Sequence, residues 1–402
     1  MYTGDPSSPN KGNHYHRYLE YASGIIASYN GTQPFHLYLK KYFSTNKKHG
    51  SGDRKQITSL CYDYFRICLG ISYDLSINEK LLLGIFLIEK NPTPFLEKLN
   101  PEWNKNIHLD MADKIEMVQN IFDLNKIFPF PKDLSKEIVF QKFYLSFLIQ
   151  PKLFIRIRSG YKNAVFDKLK SANISFEKIN EHCLSFANNE KVSDILDIDK
   201  EAVIQDCNSQ NTLGPVTSYI VHQTSSISFW DCCAGSGGKS ILTNDLLKNL
   251  KITVSDNRKT ILDNLKERFA KSGIKNYHSF VADLSVSSPP EGIKEGYDII
   301  IADVPCSGSG TWSRTPEQLC SFSEKNIKMY SGLQKKILTN VVKFLNETGY
   351  LLYITCSVFK KENEEVVDFI LKDLGLELIE SKYLKGYEMQ ADTLFVALFK
   401  NT

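Results

Sequence analysis

The sequence predicts an α/β protein: a doubly wound sheet in the C-terminal half, preceded by a small α+β unit and an N-terminal all-α domain. Three observations carry that reading. From about residue 206, apolar β-like runs alternate with helical stretches, the pattern of a sheet covered on both faces. Those runs ("SISFWD", "KITVSD", "HSFVAD", "YDIIIAD" and "GYLLYITC") end four times in Asp and once in Thr-Cys, so polar groups gather at the strand ends where such folds hold ligands. Over the first ~130 residues, by contrast, apolar residues recur at helical spacing.

Composition sets the bounds. A chain of 402 residues has room for two or three domains, and 42% apolar with 12% aromatic residues can bury ordinary cores. Runs such as "LLLG" and "IFLI" near residues 81–88 are too short to span a bilayer, and "MYTGDPSSPNKG" has no apolar signal core. A cytoplasmic monomer is expected. Nine cysteines without CxxC or His/Cys ligand spacing argue against a disulfide framework and a zinc site, and fit a reducing compartment with no metal. Net charge is only +3, but residues 39–55 and 151–170 are basic and rich in aromatics. Either segment alone reads best as a solvated face.

Taken in order, residues 1–130 read as an all-α domain. One helix follows the turn "GSGD" with Asp53 as N-cap and carries Ile57, Leu60, Cys61, Tyr64, Phe65 and Cys68. A second holds Leu81 to Ile88 and stops before "NPTP"; another carries Ile115, Val118, Ile121 and Phe122. "FPFPKDLS" (128–135) reads as a hinge into a linker helix ending at Gln150-Pro151, and residues 131–205 form that linker and a small α+β unit. In "KLFIRIR", Leu153, Ile155 and Ile157 share one strand face, while Lys152, Phe154, Arg156 and Arg158 share the other. One aromatic and three cations on one face suit base stacking and phosphate contact. A helix over Ala164–Ala172 follows, and residues 206–402 form the α/β domain, with helices over Lys259–Lys271 and Glu324–Leu345.

"WDCCAGSGGKS" (Trp230 to Ser240) follows a strand and opens a helix. A P-loop would need glycine where Cys233 stands, and a dinucleotide loop would need glycine or alanine where Ser240 stands. The reading that fits best is an S-adenosylmethionine loop, Cys233-Ala234-Gly235-Ser236-Gly237-Gly238-Lys239, whose glycines let the backbone approach the amino-acid end of the cofactor. Asp256 on the next strand end then suits the ribose hydroxyls, and Asp283 on the one after suits the adenine amino group.

"ADVPCSGSGTWSRTPE" (302–317) places Asp303 and Cys306 just after a strand, in a loop bent by Pro305, Gly308 and Gly310. Cys356 ends the strand segment after the next helix, so the two thiols converge on one cleft. Alone, a strand-end cysteine is most often a packing residue. Two thiols and a carboxylate beside a methyl donor suggest something else. C5 of cytosine is a poor nucleophile until a thiolate adds to C6; a carboxylate near N3 then stabilises the developing charge, and a second cysteine could help remove the C5 proton or expel the thiol.

"DCCAGSGGKS", "DVPCSGSGTWSRTPE" and "YITCSVFKKENEE" resemble, in order and spacing, the motifs of the RNA cytosine-C5 methyltransferases of the Sun/Fmu (RsmB-like) family. "IQDCNSQ" (204–210) is similar to that family's lead-in segment, with Asn208 where serine is usual. Gly235 and Ser236 replace the family's Ala-Pro, and Arg314 is the one arginine kept of two common after the Pro-Cys loop. The resemblance implies a class I, Rossmann-like methyltransferase domain, a preceding RNA-recognition unit and a NusB-like RNA-binding domain. It implies Cys356 as the nucleophile, Cys306 as the second cysteine, Asp303 hydrogen-bonded to the base and Lys239 beside it; Asp303 also borders the cofactor. S-adenosyl-L-methionine is the implied cofactor. The implied partner is a structured RNA, 16S ribosomal RNA first and tRNA second, met by Phe154, Arg156, Arg158 and Arg314. A catalytically silent RNA-binding assembly factor and, on "GGKS", a nucleotide hydrolase are the competing readings.

Overall fold

The structure, a computed structural model, describes residues 11–220, 225–286, 293 and 296–402. The stretch read above as lacking a signal core lies, up to Asn10, outside the described residues. The chain divides into two compact units.

The first unit takes in the residues up to Pro131 together with Phe140–Gln150 and Trp312–Phe322, and it is helical. Local sequence sets its helix ends. The helix Ile77–Ile88 starts in a capping box: Ser76 Oγ accepts from the Glu79 amide, and the Glu79 carboxylate accepts from the Ser76 amide at 2.8 Å. Asp53 plays the second of those roles rather than the expected first. The helix Ser51–Ile67 begins after Gly50, and Asp53, three positions in, accepts from the Gly50 amide at 2.9 Å. The helix Met111–Met117 ends before Ile121 and Phe122, which lie in a turn whose Phe122 pairs with Ile71. Val118 and Phe122 are buried from that turn, so the apolar spacing outruns the helix. Cys68 and Cys320 are joined as a disulfide, against the expectation of reduced thiols throughout; the other seven cysteines are free.

The second unit holds two sheets. Strands β1 (Leu153–Ile157), β2 (Glu177–Lys178), β3 (Cys183–Phe186) and β4 (Ala202–Ile204) form an antiparallel sheet in the order β2-β3-β1-β4. Strands β5 (Ile227–Asp231), β6 (Leu250–Asp256), β7 (Tyr277–Val281), β8 (Tyr297–Asp303), β9 (Leu345–Thr355), β10 (Glu377–Leu384) and β11 (Leu394–Lys400) form the larger one, ordered β10-β11-β9-β8-β5-β6-β7. β5 to β9 run parallel, and β11 is antiparallel to both β9 and β10. The winding reverses direction at β5, between β6 and β8, which is the switch point where open α/β sheets bind ligands. Phe229, Val254, Ile299, Ile301, Leu352 and Ile354 are buried against Ile241, Leu265 and Phe269 of the covering helices. No helix among the described residues is long and apolar enough to cross a membrane.

β1 has the two faces its alternation predicts, but the polar one is covered. Phe154 is buried with Cys183, Cys207 and Ala391. Arg156 and Arg158 both reach Asp245 on the helix Gly238–Leu246, at 2.6 and 2.7 Å, with all three side chains nearly buried. Arg156 also donates to Gln205, and Arg158 to the carbonyls of Asp199 and Ser272. These three side chains therefore do not form the exposed stacking and phosphate-binding face expected from the sequence; they join the small sheet to the larger domain. Arg314 lies half-buried in the segment grouped with the helical unit.

Candidate active site

The glycine loop opens a cavity of about 780 Å³ at the switch point, within the usual range for small-molecule sites. Two glycines shape it. Gly235, which lines the cavity, has φ +53°, and a Cβ built there meets nothing within 4 Å. Gly237 has φ +83°, and its Cβ would come within 2.9 Å of Phe269 and Leu265. The loop can pack on the helix Lys259–Ser272 only without that atom. Ser236, where the Sun/Fmu pattern has proline, is held by Arg268, which donates to its carbonyl at 3.0 Å and its hydroxyl at 2.9 Å.

Carboxylates line the wall. Asp256, at the end of β6, accepts from the Gly235 amide at 3.0 Å and from the backbone and side chain of Arg258. The four acceptor positions of the carboxylate are thus filled, two of them by an Arg258 side chain that is 61% exposed. Asp283 lies two residues beyond the end of β7, is exposed, and accepts from the Ser285 amide and hydroxyl through Oδ1 alone. Both aspartates line the cavity with Cys233, Ala234, Gly235, Ser236, Gly238 and Lys239.

Across the mouth stand the remaining groups. Lys239 Nζ donates to Asp303 Oδ2 at 2.6 Å. Burial works against the charge of Lys239, but Asp303, Asp231 and Cys356 outweigh it and raise its pKa, so the ammonium persists. Cys306 Sγ and Cys356 Sγ are 3.3 Å apart, and both line the same cavity. The hydrogen bond with Cys356, then burial, then the charges of Cys356 and Glu362 push the Cys306 thiol well above its ordinary range. Cys306 therefore keeps its proton and can share it with Cys356, which stands beside the Lys239 charge. Of the expected groups, the structure brings together Cys356, Cys306, Asp303, Lys239, Asp256 and Asp283, and leaves Phe154, Arg156, Arg158 and Arg314 off the cavity.

Sequence reasoning missed a layer behind the cysteines. Glu362 is fully buried and accepts from the Ser307 amide at 2.8 Å, while Asn363, also fully buried, bonds the residues on either side of Cys356. The signal is the "ENE" run after the cysteine, to which a motif match alone gives no structural role. Asp206 and Asp392, also on the cavity wall, are linked through the Asp392 amide at 2.9 Å, and Asn208 donates to the carbonyls of Leu384 and Asp392. Asparagine in place of serine thus joins the lead-in segment to the loop before β11.

Residues 219–396 match the family described as 16S rRNA methyltransferase RsmB/F. Among curated proteins, the chain is 32% identical to a human 28S rRNA (cytosine(4447)-C(5))-methyltransferase over 39% of this chain and 20% of that protein. It is 30% identical to a probable ribosomal RNA small subunit methyltransferase B of Coxiella burnetii over 48% of this chain and 49% of the relative, and 29% identical to mouse tRNA (cytosine(72)-C(5))-methyltransferase NSUN6 over 40% and 36%. The chain thus spans from a fifth to about half of the length of these relatives. The crystal structure of PH0851 superposes over 99% of this chain and all of its own, with a TM-score of 0.68 at 19% identity. NSun6 from Pyrococcus horikoshii with SFG superposes over 63% of this chain and 91% of its own, with a TM-score of 0.54 at 15% identity. Both likenesses are of fold.

Proposed function

We propose that this chain, whose residues 219–396 match the 16S rRNA methyltransferase RsmB/F family, methylates C5 of a cytosine in RNA from S-adenosylmethionine through a covalent Cys356–C6 adduct. The single observation that carries this reading is the pair of thiols 3.3 Å apart, beside the Lys239–Asp303 pair, on the wall of the glycine-loop cavity. The donor fits that cavity: open space at Gly235 for its amino-acid end, Asp256 for ribose hydroxyls, and the free Oδ2 of Asp283 for an amino group. When bound, it supplies an electrophilic methyl on a sulfonium.

The residues divide the rest of the work. Cys356 passes its proton to solvent and adds as thiolate to C6, which moves electron density to C5 and N3. Asp303 holds the base edge, and the ammonium of Lys239, ion-paired with it, balances that charge. After C5 has gained the methyl, its proton must leave before the C6–S bond breaks and Cys356 departs as thiolate. Cys306, which keeps its proton at neutral pH, is placed to protonate that leaving sulfur; to take the C5 proton instead it must first lose its own to solvent. The base must be unpaired or flipped for its C6 face to meet Cys356. Small-subunit ribosomal RNA is the first reading of the substrate and tRNA the second, because relatives named for rRNA and for tRNA cytosine-C5 methylation both align here. The helical unit is read as the NusB-like RNA-binding neighbour of the domain.

Tritium transfer from labelled donor to RNA tests the proposal. Wild type should transfer label and Cys356→Ala should not; Cys306→Ser should bind RNA and accumulate a slow-migrating covalent RNA–protein band. Label transfer by Cys356→Ala would remove Cys356 from the role of nucleophile. No transfer by wild type to any ribosomal or transfer RNA would favour a silent assembly factor.

A further inference from the structure

Each of the two cysteines is flanked by backbone or side-chain groups held from the same short segment. After Cys356 the chain makes a turn over Lys360–Glu362 and enters the helix Glu364–Asp373. Glu362 and Asn363, adjacent at that junction, face opposite cysteine loops. On the Cys306 side, Glu362 Oε2 accepts from the amide of Ser307 at 2.8 Å and from Gln334 Nε2 at 3.2 Å. The same Gln334 nitrogen donates to the carbonyl of Pro305 at 3.1 Å. The residues before and after Cys306 are therefore gripped by two side chains bonded to each other. On the Cys356 side, Asn363 Oδ1 accepts from Thr355 Oγ1 at 2.6 Å and its Nδ2 donates to the carbonyl of Ser357 at 2.8 Å. Again both neighbours of the cysteine are held. Ser307 Oγ and Ser357 Oγ close the frame at 3.2 Å, and Tyr353 donates to Gln334 and to the Glu362 carbonyl from below. Every one of these side chains is buried.

We propose that Glu362 and Asn363 are positioning residues: one rigid dipeptide, with Gln334, indexes the Cys306 loop to the Cys356 loop and so sets the sulfur-to-sulfur separation on which adduct release depends. The proposal rests on the methyl-transfer reading for its purpose, but its geometry stands apart from it. Buried polar frames whose members are all bonded are rigid, and a displacement of about 1 Å at a reacting group can cost about a hundredfold in rate. One atom of the frame is left over: Glu362 Oε1 is buried without a partner. Burial pushes the Glu362 carboxyl above its usual range, against the pull of its Ser307 and Gln334 bonds. Glutamine, isosteric with it, keeps an acceptor at the Oε2 position. Aspartate at 363 keeps the Thr355 acceptor but turns the Ser357 donor into a repelling oxygen.

The test uses the full chain and needs no RNA. Diamide, an azo oxidant, takes two hydrogens from a thiol pair as their S–S bond forms, and the rate of Cys306–Cys356 closure, read by peptide mass mapping, reports their separation and mobility. Glu362→Gln should close at the wild-type rate. Asn363→Asp and Glu362→Ala should close at least about fivefold differently from wild type while their far-UV spectra match it. In methylation, Asn363→Asp should lose about tenfold or more in kcat with KM for donor and RNA within about twofold, and Glu362→Gln should retain kcat. Wild-type closure and kcat in Asn363→Asp would overturn the proposal. A defect in Glu362→Gln equal to that of Glu362→Ala would overturn the hydrogen-bond frame as its cause. If wild type fails to methylate RNA, the methyl-transfer reading fails, while the closure rates still decide the frame.

Discussion

Asp231 shows how a single buried carboxyl in such a site couples to pH. It ends β5, accepts from Ser240 Oγ at 2.6 Å through Oδ2, and has a buried Oδ1 without a partner. Burial first, and the nearby carboxylates Asp303 and Asp256, push its pKa up to about 7 despite the Ser240 bond and the Lys239 charge. The unfolded chain releases the same proton near pH 4. Between about pH 4 and 7 the native state therefore binds a proton that the unfolded state does not, and stability falls as pH rises through that window. The loss is on the order of 1–4 kcal/mol. Asp231→Asn, which stays neutral, should lose less stability than wild type between pH 5 and pH 8 in urea unfolding; parallel losses would mean that Asp231 is ionised throughout. The side chains on the cavity wall were legible residue by residue, since "DVPCSG" and "YITCS" carry Asp303, Cys306 and Cys356 in fixed spacing. Their support was not. A buried Glu362 or Asn363 looks in sequence like part of a solvated acidic run, because only the fold reveals which polar groups lose water.

At the scale of elements, alternation in "KLFIRIR" told which residues of β1 share a face but not what covers it. The cover is Asp245, thirteen residues beyond the start of the Cys232–Cys233 pair and invisible to any local pattern. Its carboxylate pairs two arginines that are each about nine-tenths buried. Asp245→Ala leaves both cations buried without their partner, and should cost about 3–5 kcal/mol in urea unfolding of the second unit. A change under 1 kcal/mol would show that Gln205 and the backbone carbonyls suffice. The glycine loop offers a sharper case. Gly237→Ala adds a Cβ at φ +83° with heavy atoms of Phe269 and Leu265 within 2.9 Å, so the loop must move. Donor affinity, read by calorimetry, should fall at least about tenfold, while thermal stability falls by about 1–3 kcal/mol. The five strand runs that end in Asp or Thr-Cys were readable from their apolar content and correspond to β5–β9. β10 and β11 were not recognised: β10 has an irregular burial pattern and a bulge at Leu378–Glu380, which blurs its period of two.

For the whole molecule, the connectivity matters more than the two units themselves. The helical unit is discontinuous in sequence, and Arg66 draws on its three parts: it sits buried on the helix Ser51–Ile67 and donates to the carbonyl of Phe147 at 2.9 Å, to Gln150 at 3.0 Å and to the carbonyl of Ser313 at 2.7 Å. Trp312 is buried beside Phe128, Phe130 and Phe322 of the same unit. A fragment starting at residue 151 would strand Trp312–Phe322 without the rest of its unit, and proteases should cut it there; in the full chain the same bonds should resist cleavage. Equal cleavage in both would mean that the segment is not held. The same interleaving imposes an order in time. The ribosome delivers Gln150 some 170 residues before Phe322, which at 5–20 residues per second is roughly 10–30 s. For that interval the newborn helices wait with an open seam, and the last piece to fill it is the stretch that emerges directly behind Cys306.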